Sequence, residues 1–183
     1  MVYERYHIDK NDLAVLPAEG SDHGAVILSK KGKRVKVQRH QTEIIKDSCD
    51  EYMESYDYVR QTIKEKFKYH QKVPIFVCPA LLIYVFPTCS AANENVIWIN
   101  AIHIDHKYKN PKNDGHTDIF FKCGTLLTVD VSLHTIKQQY ERTYNILCEV
   151  TRAKRLEVEL LARSRSRYVS QTQTNELNIE YFS

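Results

Sequence analysis

Residues 73–93 carry no charged side chain, and prolines interrupt that run at Pro74, Pro79 and Pro87. A membrane-spanning helix needs about 20 consecutive apolar residues. Proline inside a helix removes a hydrogen bond and clashes with the preceding turn. Between the prolines the residues are β-branched or aromatic: Ile75, Phe76 and Val77, then Ile83, Tyr84, Val85 and Phe86. Short apolar runs bounded by proline read as buried strands. The stretch therefore predicts strands over 75–78, 81–86 and 96–104 in preference to a transmembrane helix. Trp98, the one tryptophan, sits among Ile97, Ile99 and Ile102 and reads as a core anchor.

The flanks follow two periodicities. Residues 3–8 and 12–17 read as short strands on either side of the turn-forming Asp9, Lys10 and Asn11. Glu19, Gly20, Ser21 and Asp22 form a loop by composition. Residues 25–29 and 34–38 form a hairpin, in which alternation puts Val35 and Val37 on one face and Arg34 and Lys36 on the other. Ser48 and Glu51 have capping-box spacing, and Tyr52, Tyr56, Val59, Ile63 and Phe67 continue as a helical stripe. Residues 117–121 and 125–131 make a second hairpin around Gly124. From Ser132 the pattern is helical again, through Ile136, Tyr140, Tyr144, Leu147 and Thr151 to about residue 162. The sum is an α+β fold, mostly antiparallel strands with one mid-chain helix and a long C-terminal helix. Residues 1–162 read as a single domain and 163–183 as a basic, polar, flexible tail.

Charge is clustered, although the net charge is only +3. Lys30, Lys31, Lys33, Arg34, Lys36 and Arg39 follow one another without an intervening acid. A basic hairpin tip can track phosphates or enter a minor groove; equally, edge lysines discourage edge-to-edge aggregation. Arg60 lies on the polar side of the mid-chain helix, and Lys107, Lys109 and Lys112 lie in a Pro- and Gly-containing stretch, 107–116, that reads as a loop. Arg152 and Arg155 begin a basic crowding that ends in Arg163, Arg165 and Arg167. Those twelve cations through Arg155 are the candidate DNA contacts. No catalytic residue, metal site or cofactor is indicated. Five scattered cysteines, without any C-x-x-C, read as reduced thiols. His103, His106 and His116 lack metal-site spacing. With five glycines there is no phosphate-cradling loop. The charged N-terminus lacks the apolar core of a signal peptide, so the expected location is cytoplasmic.

The run Phe86-Pro87-Thr88, followed by Trp98-Ile99, resembles the ComK family of competence transcription factors. The likeness extends upstream to Ser48-Cys49, Ser55-Tyr56, Arg60 and Lys72 with Pro74-Ile75, and downstream to Gly124, Ser132, Tyr140 and Arg142-Thr143. Tyr58 and Thr62 stand where the family usually has glycines, Val59 where it has Arg, Val73 where it has Pro and Cys123 where it has Asn. The resemblance implies a bacterial, nucleoid-associated, non-enzymatic activator of competence (DNA-uptake) genes. It would bind A·T-rich duplex DNA largely through the minor groove, as a dimer or tetramer. The implied protein partners are RNA polymerase and a proteolytic adaptor. The alternative is a degenerate paralogue that binds or titrates a protein without binding DNA. No helix-turn-helix is visible, so a recognition helix in the major groove is not indicated.

Overall fold

The computed structural model describes residues 2–20 and 24–180, with side chains described through residue 163. Ser21 and Asp22 of the expected 19–22 loop, and the last three residues of the expected tail, lie outside the described residues. By its internal contacts the chain forms one unit of residues 1–147 and another of residues 148–183.

The first unit is built on a seven-stranded sheet. Its strands are β1 (Val2–Tyr3), β2 (Asp12–Pro17), β3 (Ala25–Ser29), β4 (Arg34–Val37), β5 (Ile75–Cys78), β6 (Ile83–Pro87) and β7 (Trp98–Asn100). Their order is β1-β4-β3-β2-β7-β6-β5, antiparallel throughout except that β1 runs parallel to β4. A second sheet holds β8 (Ile104–Lys109), β9 (Thr117–Phe121) and β10 (Leu126–Val129) as an antiparallel meander. The helices are α1 (Gln41–Glu51), α2 (Tyr56–Phe67) and α3 (Leu133–Glu180). The α+β class, the antiparallel pairing and the long C-terminal helix match the expectation from sequence.

Each face of the large sheet has its own cover, because side chains on a strand alternate sides. Trp98 pairs across the sheet with Val15, and its side chain meets the helices. Its indole Nε1 donates to Thr42 Oγ1 of α1 at 3.1 Å, and its ring meets Tyr56 of α2 edge-on at 6.4 Å. Trp98 is fully buried, as a core anchor should be. The neighbouring pair Ala14 and Ile99 joins the opposite cluster, with Phe86, Ile119, Phe121, Leu127 and Ile136. That core lies between the large sheet, the small sheet and the first turns of α3. Ser132 starts α3, its Oγ accepting from Thr135 N at 3.3 Å.

Four local differences from the sequence reading have physical causes. First, the mid-chain helix is two helices. Met53 takes a left-handed φ of 59°, and Ser55, not Ser48, caps the second helix by accepting from Tyr58 N. Ser48 is buried inside α1, where its hydroxyl donates to Ile44 O and accepts from Ile8 N. Second, the first strand is only Val2–Tyr3, because the backbone beyond it bonds to side chains instead of a ladder: Ile8 N to Ser48, Asp9 N to Asp12. Third, the expected strand 96–104 breaks at a 3₁₀ turn, Ala101–His103, where the chain passes from one sheet to the other. Fourth, Lys107 and Lys109 lie on strand β8, so the loop begins only at Asn110.

Unit two is the remainder of α3 from Cys148. Its described side chains include exposed Leu156, Val158 and Leu161, between 54% and 65% accessible. Among the described residues, no helix is long and apolar enough to cross a membrane.

Candidate nucleic-acid interface

The β3–β4 hairpin presents its cations as its alternation dictates. Val35 and Val37 are buried, while Arg34 and Lys36 are exposed on the reverse face. The tip is a 3₁₀ turn, Lys30–Gly32, in which Lys31 and Gly32 both have left-handed φ values, 63° and 71°. A side chain added at Gly32 would meet open space. Among the described residues, no carboxylate lies within ion-pair distance of Lys30, Lys31, Lys33, Arg34 or Lys36.

Two other segments meet this tip. The turn before β2 approaches through Asn11 O, which accepts from Lys30 N at 2.9 Å, and brings Lys10 with it. The β9–β10 turn approaches from the other sheet, where Lys122 N donates to His103 O at 2.8 Å. Burial acts to raise the Cys123 thiol, but hydrogen bonds from Thr125, from Lys31 N and from its own backbone win, and it lies below its ordinary value. His103 is the strut between them. Its Nε2 lies 2.9 Å from Lys10 O, and a carbonyl can only accept, so Nε2 carries the proton. Burial lowers the imidazole's pKa, and Lys30 and Lys122 lower it further against the opposing effect of the Lys10 bond. The ring is therefore neutral near pH 7. Lys122 is held by its own ammonium donating to Ile102 O at 2.7 Å. The chain segments that carry Lys10, Lys30 and Lys122 thus meet around His103, with Lys31 next along the hairpin tip.

The remaining candidates are dispersed and mostly engaged. Arg39 pairs with Asp47 at 3.2 Å. Lys107 lies 3.6 Å above the Tyr140 ring of α3, a cation–π contact, and burial lowers its pKa. Lys109 pairs with Asp114 at 3.0 Å. Lys112 is exposed in a loop braced by Asn110, whose Oδ1 accepts from Lys112 N and Asn113 N. Arg60 faces a cavity beside Lys72. In the second unit Arg152 pairs with Glu149 and Arg155 with Glu159 along the helix. Sequence reasoning missed Lys10 and Lys122, which stand alone in the chain and join the cluster only by long-range folding.

The three histidines have separate partners: His103 the Lys10 carbonyl, His106 the Asp105 carboxylate at 2.9 Å and His116 the Asp130 carboxylate at 3.6 Å. Among the described residues, no group of three or more metal-ligating side chains gathers.

The model of the ComK protein family matches residues 3–155. The chain belongs to the ComK family. A curated relative, the competence transcription factor of Bacillus subtilis (strain 168), is 27% identical over 140 residues, covering 76% of this chain and 72% of that protein. No solved structure matches the chain. In this ComK family member most residues behind the sequence resemblance hold the fold together. Ser55 caps α2, Tyr56 packs on Trp98, the Pro87 carbonyl accepts from Gln139, and Gly124 supplies a φ of 84° at the β9–β10 turn.

Proposed function

We propose that this protein regulates transcription of competence genes by binding A·T-rich duplex DNA, with the β3–β4 tip entering the minor groove. The family and the relative's name support the regulatory role. The meeting of the lysine-bearing segments of Lys10, Lys30 and Lys122 around His103, beside the exposed Lys31, supports the DNA surface, and it is the observation that carries this reading. Arg34 and Lys36 extend the positive strip along β4. A minor groove is about 6 Å wide, and a narrow A·T groove concentrates negative potential that draws in cations. A tip of exposed Lys31 and Gly32, with no side chain on the latter, offers such a groove a small, positively charged end. Lys33, Lys112, Arg152 and Arg155 add phosphate affinity without sequence preference. Copies of the chain assemble through α3, where Val158 and Leu161, three residues apart, are exposed apolar neighbours on one helix face. In this role the protein works in the cytoplasm on the nucleoid, with RNA polymerase and a proteolytic adaptor as protein partners and residues 163–183 as a basic tail.

The test is a gel-shift titration on two duplexes of equal length that differ only in their A·T tracts, repeated at several salt concentrations. Tighter binding to the A·T-rich duplex, weakening steeply with salt, is expected. Equal affinity for both refutes groove selectivity. Failure to bind either refutes the DNA reading and favours a paralogue that acts through protein partners.

A further inference from the structure

A second positive site lies away from the hairpin tips. A cavity of about 360 Å³ opens between α2, the chain linking α2 to β5, and the turn after β6. Arg60, His70 and Lys72 line it, with Tyr56, Gln71 and Ser90. No carboxylate is among its lining residues, and among the described residues neither Arg60 nor Lys72 has an ion-pair partner. Unpaired cations gathered in a concave site without a counter-charge are a lasting repulsion unless an anion joins them.

The linking chain is built to hold those cations still. Lys72 takes a left-handed φ of 49°, which costs a non-glycine residue about 1 kcal/mol or more. The strain is held from α3. Gln139, itself fully buried, donates to Lys72 O at 2.6 Å and to Pro87 O at 3.1 Å. Arg142 donates to Gln71 O at 3.3 Å, and its guanidinium lies 4.8 Å from the Tyr69 ring centre. The Tyr56 phenol is pushed up to about 12 by burial, with Arg60 opposing, so it stays protonated and able to donate.

We infer that this cavity binds a small phosphate-bearing anion, held by Arg60 and Lys72 with His70, Ser90 and Tyr56 as further donors. Arg60 and Lys72 offer charge-assisted contacts, the strong class of hydrogen bond to phosphate oxygens. The volume suits a small ligand, not a duplex backbone, which needs an open surface.

The experiment is calorimetric titration of the full-length protein with inorganic pyrophosphate at constant ionic strength. The wild-type chain is expected to bind one equivalent. An Arg60→Gln, Lys72→Gln double variant is expected to bind about tenfold more weakly or worse. A Lys30→Gln, Lys31→Gln variant, altered only at the hairpin tip, is expected to bind pyrophosphate as wild type does. If the double variant does not fold, Ser90→Asp places a carboxylate at the exposed rim and is expected to abolish binding. Absence of binding to wild type, or equal binding by the pocket variant, overturns the inference. So does loss of A·T-rich duplex affinity in the pocket variant, which would make the bound anion a phosphate of DNA.

Discussion

Replacing Lys30, Lys31, Lys33 and Arg34 together by Gln isolates the hairpin tip. Among the described residues none of the four has an ion-pair partner, and three are exposed, so the fold loses little; substitutions at such sites cost within about 0.5 kcal/mol each. Gln keeps a side chain at Lys31, where φ is 63°, and so adds no new backbone strain. If all four cations meet phosphates, each contributes about 0.9 to the slope of log affinity against log salt, or about 3.6 in total. Extrapolated from molar salt, where the counterion contribution vanishes, to about 0.15 M, that is about a thousandfold in affinity, or about 4 kcal/mol. Between about 0.05 and about 0.2 M salt the wild-type protein should lose about 150-fold more affinity than the variant. Fluorescence anisotropy of a labelled A·T-rich duplex across that range measures both slopes, and a thermal melt confirms folding. A folded variant with an unchanged slope would refute the assignment of the tip as the contact surface.

Three further outcomes are expected. Gln139→Ala leaves the carbonyls of Lys72 and Pro87 buried without donors, and chemical denaturation should show a loss of about 2–5 kcal/mol; a loss under about 1 kcal/mol would mean that water replaces the amide. Asp12 is buried with its pKa raised chiefly by desolvation, against hydrogen bonds from Ser29, Asp9 and Tyr6. Its folded state therefore holds its proton to higher pH than the unfolded chain does, so stability falls as pH rises above 3.8 through the carboxylate range. Measured against Asp12→Asn, the wild-type chain should lose relative stability over that window, and a gain would reverse the sign of the argument. Deleting residues 152–183 should lower the number of chains per particle found by sedimentation velocity if copies associate through α3, and an unaltered number would place the interface elsewhere.

The sequence was most legible where side-chain periodicity and burial coincide. Val35 and Val37 alternate with Arg34 and Lys36, so β4 could be read directly. Trp98 stood in an apolar run that only a core could accept. The helix boundary was less legible because Ser48 and Glu51 imitate a capping box inside α1. The true break depends on Met53, which is exposed, adopting a left-handed conformation that a non-glycine residue seldom takes. Strand β8 was hidden because Asp105, His106, Tyr108 and Lys109 are all exposed and give no apolar alternation. The positive surface was half visible. The run from Lys30 to Lys36 is a local pattern, but Lys10, His103 and Lys122 join it through contacts that no window of sequence contains.

The 3₁₀ turn at Ala101–His103 carries the chain from the last residue of β7 straight into β8, with no slack between the two sheets. His103 is pinned in that turn to Lys10 on one side, and its carbonyl accepts from Lys122 N on the other. The spacing between the two hairpin tips is thus set by a short, stiff bracket. If the proposed duplex meets both tips, a bracket this short leaves the adjustment to the DNA, and how readily its base-pair steps deform would then become part of what is selected.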